Sequence, residues 1–203
     1  MDWFDLCIVP DHDFPAGCDR PNLILTRGAL NRVSSPVTAP GSGRMILIGG
    51  PSGTHGWDAE TLLHALSQIT SDAAWCLTDS RRTPAGFVDQ IRESLPAVEV
   101  FPHQETEPDW LPAQLARAGE VWVTEDSVSM IYEALSSGAR VGLLPVPRKQ
   151  NNSRVLRGLE QLIRDGFITP LSEWEKTGRL KHPPSVLREA DRCAEAVANK
   201  FCF

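Results

Sequence analysis

Residues 121–135 read Val-Trp-Val-Thr-Glu-Asp-Ser-Val-Ser-Met-Ile-Tyr-Glu-Ala-Leu. The stretch begins as an apolar strand and ends as a helix, with a short polar turn between them. Asp126 or Ser127 is placed to cap the helix, because either side chain can accept hydrogen bonds from N–H groups of the first turn. Gly138 follows where a left-handed residue often ends a helix, and residues 140–145 form the next apolar strand. A strand, a helix and a second strand make a βαβ unit, which binds ligands outside the carboxyl ends of its parallel strands.

The alternation of strands and helices extends in both directions from this stretch. Strands are predicted at 5–10, 22–26, 44–49, 73–78, 98–101, 121–124 and 140–145. Helices are predicted to begin near Asp58, Thr83, Asp109, Asp126, Ser153, Thr169 and Ser185. From residue 44 onward, this order predicts an α/β fold with a doubly wound parallel sheet.

Two parts of the chain are expected. Two strands cannot bury a core alone, so residues 1–38 are interpreted as the remnant of an N-terminal lobe. Residues 39–203 are interpreted as a Rossmann-like domain. The segment from Ser34 to Gly43 is rich in serine, proline and glycine, which is typical of a linker between two such parts.

Composition narrows the possible partners of the 203-residue chain. Its net charge of −6 argues against a nucleic-acid partner, because such binding depends on positive charge. The five cysteines include no Cys-x-x-Cys pair, which favours reduced thiols in a cytoplasmic protein. No apolar run reaches the roughly 20 residues of a transmembrane segment, and the start lacks the basic residues of a signal peptide.

Three polar loops follow predicted strands and should therefore meet at one edge of the sheet. The first, residues 49–56, opens with two glycines that would let the backbone approach a ligand closely. The second, residues 79–84, places Arg81 and Arg82 at a predicted helix start. Two cations are unfavourable there unless an anion such as a diphosphate joins them. An ordinary turn and a solvated arginine pair are the structural alternatives.

The third loop, residues 124–129, offers the hydroxyls of Ser127 and Ser129 at a helix start. Glu133 lies one helical turn beyond Ser129, so both share a face, and its carboxylate could accept two ribose hydroxyls. The alternative is a helix cap followed by a solvated glutamate. A shared edge would explain all three loops together, which favours a phosphate-containing ligand.

Two other groups of residues carry weaker signals. His12 and Asp13 follow the first strand and could form a general-base pair, although a histidine ordered within a turn is equally consistent. A basic cluster follows the last predicted strand, and a solvated helix face is a simpler interpretation than a phosphate or membrane contact. Its members are Arg148, Lys149, Arg154 and Arg157. No Asp-x-Asp pair lies in a suitable loop, since Asp11-His12-Asp13 has that spacing but belongs to the other lobe, so no metal is predicted. No other cofactor is predicted either.

Five motifs in this order resemble a known family. They are Pro10-Asp11-His12-Asp13, Asn22 with Thr26-x-Gly28-Ala29-Leu30, Gly49-Gly50-x-Ser52, Ser80-Arg81-Arg82-Thr83-Pro84, and Thr124-x-Asp126-Ser127-x-Ser129-Met130 with Glu133-Ala134. The set resembles the plant mitochondrial-fission "elongated mitochondria" family and its bacterial relatives, which are often labelled nucleoside-diphosphate-sugar epimerases. The resemblance covers roughly residues 5–147. That family looks like the GT-B architecture, in which a nucleotide sugar lies between two Rossmann-like lobes.

The resemblance implies a function and a site. Residues 39–203 would be the nucleotide-sugar-binding half of a GT-B-like, metal-independent glycosyltransferase, and most of the N-terminal lobe would be missing. His12 or Asp13 would face the acceptor. The residues expected to bind the nucleoside diphosphate or nucleotide sugar are Gly49, Gly50, Ser52, Ser80, Arg81, Arg82, Thr83, Asp126, Ser127, Ser129, Met130 and Glu133.

Three alternatives or additions stay open at this point. A nucleoside-diphosphate-sugar 2-epimerase would use the same ligand. A non-catalytic adaptor would use the same fold to recruit a partner protein. The incomplete N-terminal lobe would expose apolar surface, which makes a homodimer through residues 5–30 a plausible consequence.

Overall fold

The computed structural model describes residues 3–14, 20–33, 41–150 and 154–201. The strands are β1 (Cys7–Pro10), β2 (Leu23–Thr26), β3 (Gly43–Leu47), β4 (Trp75–Thr78), β5 (Val98–Phe101), β6 (Ala118–Thr124), β7 (Arg140–Leu144) and β8 (Ile168–Pro170). The α-helices are α1 (Ala59–Ile69), α2 (Phe87–Ser94), α3 (Trp110–Leu115), α4 (Val128–Ser136), α5 (Arg154–Arg164), α6 (Leu171–Thr177) and α7 (Glu189–Phe201). Two short 3₁₀ turns cover Asp11–Asp13 and His103–Glu105.

Strands β3 to β8 form one sheet of six strands in the order β5-β4-β3-β6-β7-β8, and every neighbouring pair is parallel. The chain runs outward from β3 to one edge, returns to β6 beside β3, and then runs to the other edge. This confirms the predicted α/β class and the doubly wound parallel sheet. The strand order reverses between β3 and β6, and open sheets of this kind bind ligands at that position.

Alternating side chains of the central strands build a hydrophobic core on each face of the sheet. Val121 and Val123 of β6 pack against α3, α4 and α5 on one face. Trp122 lies on the other face, where its ring meets Trp174 of α6 edge-on at 5.6 Å. Gly142 of β7 makes room for this ring, because a Cβ atom there would lie 2.5 Å from it. Helices on both faces cover the sheet and leave its carboxyl edge for the loops.

Several predicted boundaries are wrong. A helix was expected to begin at Thr83, but α2 begins at Phe87, after Gly86 in a left-handed conformation with φ of +81°. Residues 168–170, where a helix start was predicted, form the sixth strand of the large sheet, and α6 follows directly. The last helix begins at Glu189 rather than near Ser185. The predicted capping of α4 by Asp126 or Ser127 is also absent, since neither side chain makes the cap hydrogen bond.

Strands β1 and β2 form a separate, parallel two-stranded sheet. Its connections to α7 are hydrogen bonds, including one from the Arg27 N–H to the Glu189 carboxylate at 2.9 Å and one from the Arg192 guanidinium to the Leu25 carbonyl. Trp3 beside this sheet is 94% exposed. The predicted domain boundary at residue 38 lies outside the described residues. Among the described residues, the helices are too short or too polar to cross a membrane.

Candidate functional site

A cleft of about 430 Å³ opens at the carboxyl edge of the sheet, beside the ends of β4 and β6. The loop after β4 supplies one wall, and the start of α4 supplies the opposite one. The structure brings together six of the sequence-predicted residues along this cleft. They are Ser80, Arg81, Arg82, Ser127, Ser129 and Met130. The paired arginines and the serine-containing turn therefore share one rim.

Asp126 is the anchor beneath the cleft. Its side chain is fully buried, and its Oδ2 atom accepts from the Gly50 N–H at 2.9 Å and from Nη2 of Arg82 at 2.8 Å. The neighbouring Gly49 N–H donates to the Thr124 hydroxyl at 2.7 Å. A Cβ atom on Gly49 would lie 2.2 Å from the Asp126 carboxylate, so only glycine fits this approach. The backbone N–H groups of the glycine loop therefore bind the protein itself.

Arg81 and Arg82 have different surroundings although they are adjacent. Arg82 donates to Asp126 and to the carbonyls of Gly50 and Pro51, and these bonds tie the second loop to the first. Arg81 is exposed and lines the cleft, and it makes no hydrogen bond or salt bridge with the described residues. Arg82 is thus a structural cation, while the Arg81 guanidinium keeps its full donor capacity for an anion.

Thr83 also builds the loops. Its hydroxyl donates to the Gly49 carbonyl at 2.5 Å and accepts from the Ser80 N–H at 2.9 Å. The Oγ atom of Ser80 accepts from the Arg82 N–H at 3.3 Å. These bonds hold the Ser-Arg-Arg-Thr turn in one shape, with Ser80 and Arg81 at the cleft surface.

The opposite wall is the first turn of α4. Ser127 is buried at the N-cap position. Ser129 is the second residue of the helix and is exposed. Because no side chain in the described part of the chain caps this helix, the N–H groups of its first turn stay available for a ligand. Glu133 is half-buried and is not among the residues that line the cleft. Burial raises the pKa of its carboxyl, and the nearby charge of Arg32 partly offsets this.

Ser52 and the basic cluster lie away from the cleft. Ser52 closes a small turn with His55, whose N–H donates to its hydroxyl at 3.1 Å, and Lys149 donates to the Ser52 carbonyl at 2.8 Å. Arg148 donates through Nε to the buried Glu125 at 2.6 Å and pairs with Glu160 at 3.3 Å. Arg148 and Lys149 of the predicted basic cluster therefore secure loops rather than face solvent freely.

The predicted acceptor-side residues lie on the 3₁₀ turn Asp11–Asp13, directly after β1. Asp13 is exposed and is not among the residues that line the cleft. The side chain of His12 lies outside the described part of the chain. A catalytic role for His12 or Asp13 stays a prediction.

Comparison with protein families identifies the chain. The model of the family Mitochondrial fission ELM1 matches residues 1–201. The chain belongs to the mitochondrial fission ELM1 family. The resemblance inferred from its motifs is therefore confirmed. Comparison with curated proteins finds no match in sequence.

The fold of this ELM1-family chain is similar to solved structures. A protein named as a UDP-N-acetylglucosamine 2-epimerase from Listeria monocytogenes matches with a TM-score of 0.50 and 15% identity, over 83% of this chain and 50% of that one. MurG from Acinetobacter baumannii matches with a TM-score of 0.47 and 11% identity, over 83% and 47% of the two chains. The kitacinnamycin glycotransferase matches with a TM-score of 0.47 and 19% identity, over 82% and 42%. The chain spans about half the length of each of these three proteins. Its six-stranded parallel sheet has the fold of the Rossmann-like half of a GT-B architecture.

The cleft of the ELM1-family chain also contains residues that the sequence analysis missed. His103 lines it beside Arg81, and the carboxylate of Asp79 accepts from the His103 N–H at 2.7 Å and from its Nδ1 at 2.9 Å. Trp110 lines it too, with its ring 5.1 Å from that of Phe101. Asp79 and His103 both follow the carboxyl ends of parallel strands. Ligands bind outside these ends, so the criterion that selected the three loops also applies to Asp79 and His103.

Proposed function

We propose that this cleft binds a nucleoside diphosphate or a nucleotide sugar, and that the chain is the nucleotide-sugar-binding half of a metal-independent glycosyltransferase. The observation that carries the proposal is the Arg81 guanidinium, which pairs with none of the described residues, opposite the start of α4, which no described side chain caps, across a cleft of about 430 Å³. The position of the cleft beside the reversal of strand order supports it further.

The charges around the cleft favour an anionic ligand. Asp126 is paired with Arg82, and Asp79 accepts from His103, so both carboxylates are engaged by neighbouring groups. Arg81 has no such partner among the described residues. A guanidinium can bind a phosphate through two parallel hydrogen bonds, and a helix N-terminus adds N–H donors and a favourable dipole. A diphosphate between these two walls would satisfy both.

The same groups suit sugar transfer. When the bond between the sugar and the diphosphate breaks, negative charge develops on the oxygens of the departing diphosphate. Donors that are already fixed in position stabilise that charge without reorganising, and this is the role we assign to Arg81 and the α4 N–H groups. A bound cation is then not required for the leaving group. Glu133, one turn beyond Ser129, is the proposed acceptor for the ribose hydroxyls, and His12 or Asp13 remains the proposed base on the acceptor side.

Calorimetric titration tests the proposal. Uridine, guanosine and adenosine diphosphates should be titrated into the wild type, Arg81→Ala and Arg92→Ala. Arg92 is a matched control, because it is an arginine on α2 whose contact is with Asp89. We expect Arg81→Ala to weaken binding at least about tenfold and Arg92→Ala to leave it unchanged. A wild type that binds none of the three nucleotides would refute the proposal.

The reaction itself needs a second measurement. Release of free nucleoside diphosphate from a nucleotide sugar, only when an acceptor is present, would support transfer. Interconversion of the sugar at C2 without release of the diphosphate would instead support the 2-epimerase alternative.

A non-catalytic adaptor or a homodimer is a second candidate, because large apolar side chains are exposed on and next to the small sheet. Trp3 is 94% exposed and Phe4 66% exposed, and Leu25 lies on β2 with 42% exposed. Contiguous exposed apolar surface often marks an interaction site. If this surface forms a dimer, analytical ultracentrifugation should show a dimer for the wild type and a monomer for Trp3→Ser/Phe4→Ser. A wild type that sediments as a monomer would argue against the homodimer. A cytoplasmic location stays a prediction.

A further inference from the structure

His103 is held more firmly than a surface histidine requires. It begins the 3₁₀ turn after β5, and Asp79 follows β4, so two neighbouring parallel strands deliver the pair to the carboxyl edge of the sheet. The Oδ1 atom of Asp79 accepts both the His103 backbone N–H at 2.7 Å and its Nδ1 at 2.9 Å. The ring is thereby fixed at two points.

The bond to Asp79 also fixes the tautomer. A carboxylate accepts, so Nδ1 must carry the hydrogen, and Nε2 is the ring nitrogen that remains for another partner. No described residue forms a hydrogen bond with this Nε2. Histidines that act on ligands or metals are commonly oriented in the same manner by a carboxylate.

His103 stands where two hollows meet. The cleft of about 430 Å³ and a second hollow of about 260 Å³ have four described lining residues in common: Asp79, Ser80, Arg81 and His103. The imidazole and the Arg81 guanidinium therefore border the same space. The other charged groups that line the cleft are Asp79, which accepts from His103, and Arg82, which is paired with Asp126.

We propose that His103 is a ligand-binding residue of the cleft, whose Nε2 donates to a phosphate oxygen of the diphosphate beside Arg81, and that Asp79 is the residue that positions its ring. This inference rests on the proposed function, since it presupposes a diphosphate in the cleft. In the complex both ring nitrogens carry hydrogen, so the ring is an imidazolium between the Asp79 carboxylate and the phosphate. The ligand thus meets three kinds of donor: a guanidinium, an imidazolium and the N–H groups of α4.

Two substitutions of His103 test the roles of its two ring nitrogens one at a time. The amide of His103→Asn can reach the place of Nδ1 and keep the bond to Asp79, but it has nothing at Nε2. The amide of His103→Gln can place a donor near Nε2. We expect His103→Asn to weaken binding of uridine diphosphate and of inorganic diphosphate about tenfold, and His103→Gln to stay within about threefold of the wild type. His64→Asn, at an exposed histidine of α1, is the matched control and should bind as the wild type does.

Nitrogen-15 NMR of the histidine-labelled wild type gives a readout that a purely structural role would not change. On addition of inorganic diphosphate, the Nε2 resonance of His103 should move to the position typical of a protonated ring nitrogen, while that of His64 stays in place. Binding that is lost in Arg81→Ala but unchanged in His103→Asn, or an Nε2 resonance that does not respond, would overturn the role of His103 and leave the nucleotide site standing. A wild type that binds no diphosphate would overturn both.

Discussion

Arg81 and Arg82 allow a sharp test, because the structure gives opposite roles to two adjacent residues of the same type. Replacing Arg82 by alanine removes the Nη2 donor that lies 2.8 Å from the buried Oδ2 of Asp126. It also removes the bonds to the carbonyls of Gly50 and Pro51. Replacing Arg81 by alanine removes an exposed side chain that contacts no described polar group. The first change should lower stability, and the second should lower only ligand binding.

The expected sizes follow from burial. A hydrogen bond to a charged group contributes about 1.5–3 kcal/mol, and breaking a fully buried ion pair costs about 3–5 kcal/mol. The Asp126 side chain is 0% exposed, but that of Arg82 is 39% exposed, so water already solvates part of the guanidinium. Asp126 also keeps the Gly50 N–H in the variant. We therefore expect Arg82→Ala to lower the free energy of unfolding by about 2–3 kcal/mol, and Arg81→Ala to change it by less than about 0.5 kcal/mol.

Urea unfolding followed by circular dichroism measures both values, and calorimetry with uridine diphosphate measures binding in the same samples. A double-mutant cycle with Asp126→Ala isolates the pair. Because the two side chains are in contact, the double variant should lose at least about 1 kcal/mol less than the sum of the single losses. Equal destabilisation by the two arginine variants, or strict additivity in the cycle, would refute the assignment of structure to Arg82 and binding to Arg81.

Three further predictions concern single residues. Burial raises the pKa of the Glu133 carboxyl above its usual value of 4.5. The free energy of unfolding of the wild type should therefore fall as pH rises from 4.5 through the higher pKa of the folded state. Urea unfolding should show Glu133→Gln to be more stable than the wild type at about pH 7 but not at about pH 4. Gly28 has a φ of +83°, and a Cβ atom there would lie 2.3 Å from the Tyr132 ring. Thermal unfolding should show that Gly28→Ala lowers the free energy of unfolding by about 2–4 kcal/mol. The control Gly86→Ala, at a φ of +81° with no atom within 4 Å of the added Cβ, should lower it by about 1 kcal/mol. Burial, with a further contribution from Glu99, raises the pKa of the Cys76 thiol to about 11, so in a variant that keeps only this cysteine, native alkylation by iodoacetamide should be slow at about pH 8 and should speed up toward that pKa.

The large sheet could be predicted because its central strands carry strong local signals. Residues 45–48 and 121–123 are continuous apolar runs, which are typical of strands buried on both faces. The sixth strand lacks such a signal. Residues 168–170 are too few to show a period, and the proline there suggested a helix start. A proline is tolerated at a sheet edge, and this strand is formed by its pairing with β7, a contact that the local sequence does not encode.

The candidate site shows the same division between local and distant partners. Thr83 and Asp126 both have side chains that can cap a helix; a helix was predicted to begin at Thr83, and Asp126 or Ser127 was predicted to cap α4. In the structure Thr83 bonds instead to Gly49, and Asp126 bonds to Gly50 and Arg82. The local rule failed because these polar groups have stronger partners on another loop. Sequence order alone gives the edge where the loops meet, but not which of their side chains face each other.

This division explains why the two most specific motifs are so dense in polar residues. Within Ser80-Arg81-Arg82-Thr83-Pro84 and Asp126-Ser127-x-Ser129, one subset binds the other loop and one subset borders the cleft. Arg82, Thr83 and Asp126 hold the loops rigid, so Arg81 projects from a turn whose shape is fixed before any ligand arrives. Preformed donors are worth more to a developing charge than mobile ones, because no free energy is spent on orienting them. A pattern that looked like a cluster of ligand contacts is therefore better understood as a few contacts together with the residues that fix them in place.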